Sequence, residues 1–327
     1  MTRSAILTRR TLLAGIAASA TLPSALAGMS LEAEARAPQA PLPLPTAHRF
    51  KLGQFEVTTV SDGGITAPNP HSIFGINAPA EEVEVVFQQN FLPFDRLRNS
   101  FTPVVINTGS EVILFDTGNG ARRRPDAGNL LANLKAAGIS PDQVDIVVLT
   151  HFHGDHIGGL MEDGAPAFPN ARYVVGRREY DFWTSPEAAS GPTAGGAELV
   201  KANVVPLREK VTFLEGNQDV VSGVTAMEAF GHTPGHLVFH VESDGARLML
   251  TADTANHYAA SLQRPDWHVS FDMDKEMGAA TRRRVFDMVA AERIPFIGYH
   301  MPFPSVGHVE KTDQGFRYVP ATYQFHL

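Results

Sequence analysis

The stretch Thr150-His151-Phe152-His153-Gly154-Asp155-His156 limits what this chain can fold into more than any other. It follows the apolar run Val147-Val148-Leu149, which reads as a buried strand. The fold must therefore carry a strand to a sheet edge and end it in a loop of metal-capable side chains. In an extended segment His151 and His153 point the same way and can share one cation. Gly154 lets the chain turn, so that Asp155 and His156 can face a second cation from the other side. Four such groups clustered without a cation would be costly, because imidazolium ions repel and buried neutral imidazoles need partners for both ring nitrogens.

Cysteine is absent among the 327 residues, which removes disulfides, thiol nucleophiles and thiolate metal sites. Any metal must sit on nitrogen and oxygen ligands, and 13 histidines are available. Further ligand types recur where apolar strands end. His232 and His236 lie in Phe230-Gly231-His232-Thr233-Pro234-Gly235-His236, Asp253 follows Leu248-Met249-Leu250-Thr251-Ala252, and His300 follows Phe296-Ile297-Gly298-Tyr299. Neutral imidazoles with carboxylates suit divalent zinc, with manganese, cobalt and iron as competitors.

Strand and helix signals alternate along the chain. Phe55–Val60 alternates as a strand, and Val104-Val105-Ile106 and Val112-Ile113-Leu114-Phe115 flank a turn at Asn107-Thr108-Gly109-Ser110. Leu130, Leu131, Leu134 and Ala137 fall at helical spacing before Gly138, and a long helix is expected over Lys275–Ala291. Strands are expected at Val144–Leu149, Tyr173–Val175, Val224–Phe230, Leu237–Val241, Leu248–Leu250 and Phe296–Tyr299. Strand pairs interleaved with helices in both halves predict an α/β protein with two sheets sandwiched between helices.

The first residues read as an address. Thr8-Arg9-Arg10-Thr11-Leu12-Leu13 is a twin-arginine pattern, followed by an apolar run and a small-residue end at Ala25-Leu26-Ala27. The expected organisation is a signal peptide at 1–27, an Ala/Pro-rich linker at 28–47, and a catalytic domain at 48–327, whose strand pattern is under way by Phe50. Periplasmic or secreted localisation follows, with no stable membrane insertion once the leader is removed. The formal charge of −8 and the lack of a long basic stripe argue against nucleic acid as partner. The two arginine runs, Arg122–Arg124 and Arg282–Arg284, read as solvated surface patches.

The order His-Phe-His-Gly-Asp-His, Gly-His-Thr-Pro-Gly-His, Ala-Asp-Thr and Tyr-His-Met-Pro-Phe-Pro resembles the metallo-β-lactamase superfamily over essentially all of the chain after residue 50. Within it, the likeness is to the branch of methyl parathion hydrolase and its lactonase relatives. Supporting segments are Gly53-Gln54-Phe55-Glu56-Val57, Asp181-Phe182-Trp183 and Gly315-Phe316-Arg317-Tyr318-Val319-Pro320. The resemblance implies a four-layer αβ/βα sandwich and two divalent ions. It implies that His151, His153 and His232 hold one metal, that Asp155, His156 and His300 hold the other, and that Asp253 bridges them. His236 then takes a supporting role, and Asp116 is a candidate for orienting a ligand histidine. Trp183 and Tyr258 are candidates for the substrate pocket.

The activity implied is hydrolysis of lactones or esters by a hydroxide shared between the metals, with phosphotriesters as a further option and Asp155 as the catalytic acid/base. Asn119-Gly120-Ala121-Arg122-Arg123-Arg124 stands where methyl parathion hydrolase has apolar pocket residues, which favours a lactone or carboxylic ester over a phosphotriester. The alternatives are a β-lactamase-like amide hydrolase, which a bridging Asp253 disfavours, and a mono-iron oxidoreductase resembling persulfide dioxygenase. A metal-binding protein without turnover is the non-enzymatic option. The expected partner is a small molecule, with a homodimer left open.

Overall fold

The computed structural model describes residues 45–321 and 325–327. The leader at 1–27 and residues 28–44 of the Ala/Pro-rich stretch lie outside the described residues. Among the described residues, strand structure starts at Ala47, the last residue of the stretch expected as linker. The first strand is Ala47–Leu52, and it pairs antiparallel with Phe55–Val60 across a tight turn at Gly53.

Two seven-stranded sheets organise the molecule. In space, the first runs Ala47–Leu52, Phe55–Val60, Val104–Asn107, Val112–Phe115, Ile146–Leu149, Arg172–Gly176, Val211–Leu214. The second runs Asp219–Val221, Val224–Glu228, Leu237–Ser243, Ala246–Ala252, Phe296–Gly298, Val306–Lys311, Phe316–Pro320. The period-two geometry of a strand explains how they stack. Ile146 and Val148 face the second sheet and pack in a shared core with Phe115, Leu237, Phe239 and Leu250. Their neighbours Val147 and Leu149 point the other way, toward Leu130, Leu134, Ala197 and Val200.

Those last residues belong to the helices Leu130–Ala136 and Ala194–Asn203, which cover the outer face of the first sheet. The outer face of the second sheet is closed by Lys275–Glu292, whose Val285, Phe286 and Val289 pack on Val238, Met249 and Phe296. Asp274 caps this helix by accepting from Met277 N at 2.9 Å. The four layers are thus helix, sheet, sheet, helix, as the interleaved strands and helices predict.

Two elements lacked a clear sequence signal. The helix Ala80–Gln89 and the two-stranded ribbon of Gly63–Pro68 with Arg96–Phe101 fill the interval between the second and third strands. The ribbon strand Arg-Leu-Arg-Asn-Ser-Phe carries too few apolar residues to alternate visibly, because much of it faces solvent or the cleft.

Arg282 corrects the expectation of a solvated arginine patch. Its side chain is wholly buried, donating to the carbonyls of Thr254, Pro265 and Trp267 and to Asp272 Oδ2 at 2.7 Å. The next two arginines stay at the surface, Arg283 paired with Asp266 and Arg284 on the Glu228 carbonyl. Helical spacing aims only one of three consecutive residues inward.

Candidate metal centre

The candidate ligands lie on loops that follow strand ends, with Asp155 and His156 on the one-turn helix Gly154–Ile157. The parallel strands Val112–Phe115 and Ile146–Leu149 deliver Asp116 and the loop of His151. The parallel pair Ala246–Ala252 and Phe296–Gly298 delivers Asp253 and His300. Carboxyl ends of neighbouring parallel strands open on the same side, so residues far apart in the chain meet there. Ala252 turns the chain out of the ladder with φ 42°, an uncommon value for a residue with a Cβ, immediately before Asp253.

Two groups of ligand atoms result. His151, His153 and His232 form one; Asp155, His156, Asp253 and His300 form the other. Within each group the ligand atoms lie within 4.8 Å of one another. His153 Nδ1 is 3.1 Å from His151 Nε2 and 2.9 Å from His232 Nε2. Asp253 lies between the groups. One oxygen is 3.3 Å from His156 Nε2, and the other is 3.3 Å from His232 Nε2 and 3.0 Å from His300 Nε2.

The remote ring nitrogens are tied to protein acceptors, which sets each tautomer and aims the other nitrogen inward. His156 Nδ1 donates to Asp116 Oδ2 at 2.8 Å, His232 Nδ1 to Asp272 Oδ1 at 2.9 Å, and His300 Nδ1 to the Ser100 carbonyl at 2.8 Å. His151 Nδ1 meets Thr150 Oγ1 at 3.0 Å, and that hydroxyl donates to Asp116 Oδ2 at 2.8 Å. Asp116 therefore supports two ligand histidines and also accepts from Thr150 N.

His236 is held away from both groups. Its Nδ1 bonds the Ala229 carbonyl at 3.0 Å, and its Nε2 accepts from Asp253 N at 3.2 Å. That bond ties it to the backbone of Asp253. Burial lowers its pKa to about 3, which keeps it a neutral acceptor.

The donor set fits divalent cations. His156 Nε2 and Asp253 Oδ1 are buried and make no hydrogen bond, an arrangement that otherwise wastes two strong polar groups. Burial alone disfavours a charged His156, yet the carboxylates of Asp253, Asp116 and Asp155 outweigh it and push its pKa well above the usual imidazole value. The position therefore attracts positive charge. On the other side, burial lowers the pKa of His153 to about 3, leaving a neutral nitrogen donor.

A cleft of about 270 Å³ opens onto the site, lined by His153, Asp155, His232, Asp253 and His300 with Ile65, Phe101 and Phe271 as its apolar part. Asn99, Asn119, Arg122 and Arg123 complete its wall. Among the ligand carboxylates, Asp155 is the more open, with 23 % of its side chain exposed against 3 % for Asp253.

Two pocket candidates sit elsewhere. Trp183 is buried behind His153, ring to ring at 6.2 Å, with Nε1 donating to Glu179 Oε1 at 2.8 Å. Its indole nitrogen needs a partner, and Glu179 draws it inward, so it backs the ligand loop and does not line the cleft. Tyr258 stacks on His257 and leans on Tyr318 in the wall of a different cleft with His48 and Pro302. Its longer spacing from Asp253 carries it past the metal site.

Sequence reasoning missed three supports. Glu179 accepts four hydrogen bonds, from Phe152 N, Trp183 Nε1, Thr233 Oγ1 and Gly235 N, and so clamps the His151 loop to the His232 loop. Asp272, itself held by Arg282, orients His232. Asn256 donates to Asp253 Oδ2 at 2.9 Å. None has a local signal, since each is recognisable only by what it touches.

A family model described as the metallo-beta-lactamase superfamily matches residues 102–295. The chain belongs to that superfamily. Among its similar proteins, an N-acyl homoserine lactonase of Bacillus sp is 29% identical over 168 residues, covering 51% of this chain and 60% of the relative. The N-acyl homoserine lactonase AttM of Agrobacterium fabrum is 36% identical over 129 residues, covering 37% of this chain and 45% of the relative. The chain thus matches 60% or less of the length of these two curated relatives. Among solved structures, the dizinc quorum-quenching lactonase AidC, in complex with a product, aligns with TM-score 0.78 and 27% identity over 85% of this chain and 98% of its own. The hydrolase AbOPH aligns with TM-score 0.80 and 25% identity over 86% of this chain and all of its own.

Proposed function

We propose that this chain is a binuclear metal-dependent hydrolase of lactones and carboxylic esters, with zinc as the first candidate cation. The observation that carries the reading is Asp253, which reaches both ligand groups: one oxygen lies 3.3 Å from His156 Nε2, and the other lies 3.3 Å from His232 Nε2 and 3.0 Å from His300 Nε2. In this reading His151, His153 and His232 hold one cation, Asp155, His156 and His300 hold the other, and Asp253 touches both. The likeness to dizinc and N-acyl homoserine lactonases supports the choice of lactone over amide.

Bound divalent cations would supply Lewis acidity and lower the pKa of a water at the site. The chain's own part is positioning and proton transfer. Asp155 stands at the cleft floor with its carboxylate 3.6 Å from His156 Nε2 and 3.5 Å from His300 Nε2. Its exposure suits it to orient the attacking water, take its proton and return that proton to the leaving alkoxide. Ile65, Phe101 and Phe271 offer an apolar wall for an acyl group. The neutral His151 and His153 contribute nitrogen ligands without adding charge.

The test is a panel. Protein prepared with zinc, manganese or cobalt is assayed on N-acyl homoserine lactones, dihydrocoumarin, aryl esters, methyl paraoxon and a chromogenic cephalosporin. Lactone or ester turnover lost on chelation is the expected result. One iron per chain with oxygen uptake and no ester turnover would overturn the reading.

A further inference from the structure

Arg122 and Arg123 are set apart from the arginines around them. Both line the cleft above the ligand groups. Arg124 donates to both oxygens of Glu162 and to the Gly128 carbonyl. Among the described residues, by contrast, neither Arg122 nor Arg123 lies within salt-bridge distance of a carboxylate, Asp155 included.

The segment that carries them is anchored on either side. Asp62, wholly buried, accepts from Asn119 N at 2.8 Å, Asn119 Nδ2 at 2.9 Å, Gly128 N at 3.1 Å and Leu130 N at 2.9 Å. Gly154 adds a second constraint. The Arg122 guanidinium occupies the space a Cβ there would need, so the absent side chain lets a cation lie against the ligand loop. The turn that carries the two exposed guanidinium groups is thus braced in its backbone before a ligand arrives, which lowers the ordering cost of binding there.

We propose that Arg122 and Arg123 form an oxyanion-binding subsite at the mouth of this cleft, and that the preferred substrates are esters or lactones bearing a carboxylate away from the scissile bond. The proposal rests on the hydrolase reading for the reaction, but the subsite itself rests only on the arginines and their braced turn. The planar guanidinium fork matches a carboxylate in two parallel hydrogen bonds. The apolar wall then takes the chain between that carboxylate and the ester.

Two esters with one leaving group separate charge from chemistry: 4-nitrophenyl butyrate, and mono-4-nitrophenyl adipate with its free carboxylate. For the metal-loaded wild type, kcat/KM is expected to favour the adipate by about tenfold. Arg122→Ala/Arg123→Ala should bring that ratio close to one, whereas Arg122→Lys/Arg123→Lys keeps a substantial part of it. Raising ionic strength from about 0.02 M to about 0.5 M should erode the wild-type ratio by screening.

Calorimetric titration with benzenesulfonate, a poor metal ligand, gives a readout free of turnover. Binding by wild type and its loss in the double alanine variant are expected. If neither ester is turned over, the hydrolase reading falls while this titration still judges the subsite. An unchanged ester ratio in the double alanine variant overturns the proposal, as does unchanged benzenesulfonate affinity where no ester is turned over.

Discussion

Asp155 and Asp253 are separated in role by how much water reaches them. Asp253 is closed in by His156, His232, His300 and Asn256, leaving it nothing to do but hold charge between them. Asp155 faces the cleft, where the proposed mechanism has it exchange a proton with a bound molecule. Asp155→Asn is therefore expected to lower kcat by about a hundredfold, measured beside metal content by atomic emission. Near-normal turnover with full metal content would remove Asp155 from proton transfer. His257 illustrates a residue-scale effect on stability alone. It is buried between Phe74 and Phe87, accepts from Ala259 N and Ala260 N, and burial lowers its pKa to about 4. As pH falls below the ordinary imidazole value, the unfolded chain takes up a proton that the folded one refuses, so stability declines with acid. Between pH 7.5 and pH 5 this loss should be about 2 kcal/mol. Urea denaturation of wild type and His257→Gln at both pH values reads it as the difference in their slopes with pH.

Elements matter here through the loops they support. The loop of His151 and the loop of His232 come from different sheets, and Glu179 on the short helix Arg177–Trp183 bonds to both. All four of its partners are donors, so a carboxylate satisfies them and an amide cannot. Glu179→Gln would set its own N–H groups against the donors opposite. We expect a loss of about 3 kcal/mol in urea denaturation. Chelator competition should show weaker metal binding as well, since the two loops would no longer be held in register. A helix with a merely structural glutamate would lose stability without that second effect. The ribbon Gly63–Pro68 with Arg96–Phe101 acts in the same manner, lending Ser100 to orient His300 while Ile65, Asn99 and Phe101 wall the cleft.

For the whole molecule, the proposed site ties the two sheets together, with His151, His153, Asp155 and His156 from one half and His232, Asp253 and His300 from the other. Cations bound across that seam should stabilise the fold itself. Stripping them with a chelator is expected to lower stability by about 3 kcal/mol for a site previously held at a hundredfold excess over its Kd. Differential scanning calorimetry reads the shift, and re-addition of zinc should reverse it. An unchanged transition would argue that no cation spans the sheets. The proposed export route is tested on the full chain. Arg9→Lys/Arg10→Lys should hold the protein in the cytoplasm, while wild type appears in the periplasm shortened by about 27 residues, the cleavage point that the Ala25-Leu26-Ala27 pattern marks.

The sequence by itself determined the alternation of buried strands and helices, and with it the layered architecture. Apolar periodicity is a local property, visible wherever a strand such as Ile146–Leu149 is buried on both faces. It marked the candidate ligand types as well, because an imidazole or carboxylate soon after such a strand is readable without knowing its partners. Only the tertiary structure decided the rest. Glu179 and Asp272 act through contacts 40 to 56 residues away along the chain, which no local pattern records, and Asn256, three residues after Asp253, reaches its carboxylate only through the fold of that loop. Trp183 and Tyr258 left the cleft wall, Arg282 went inside, and Arg122 with Arg123 came to face the cleft, because side-chain direction depends on how one element packs on another. Residue chemistry is carried by the chain; who faces whom is settled only when the two sheets close on each other.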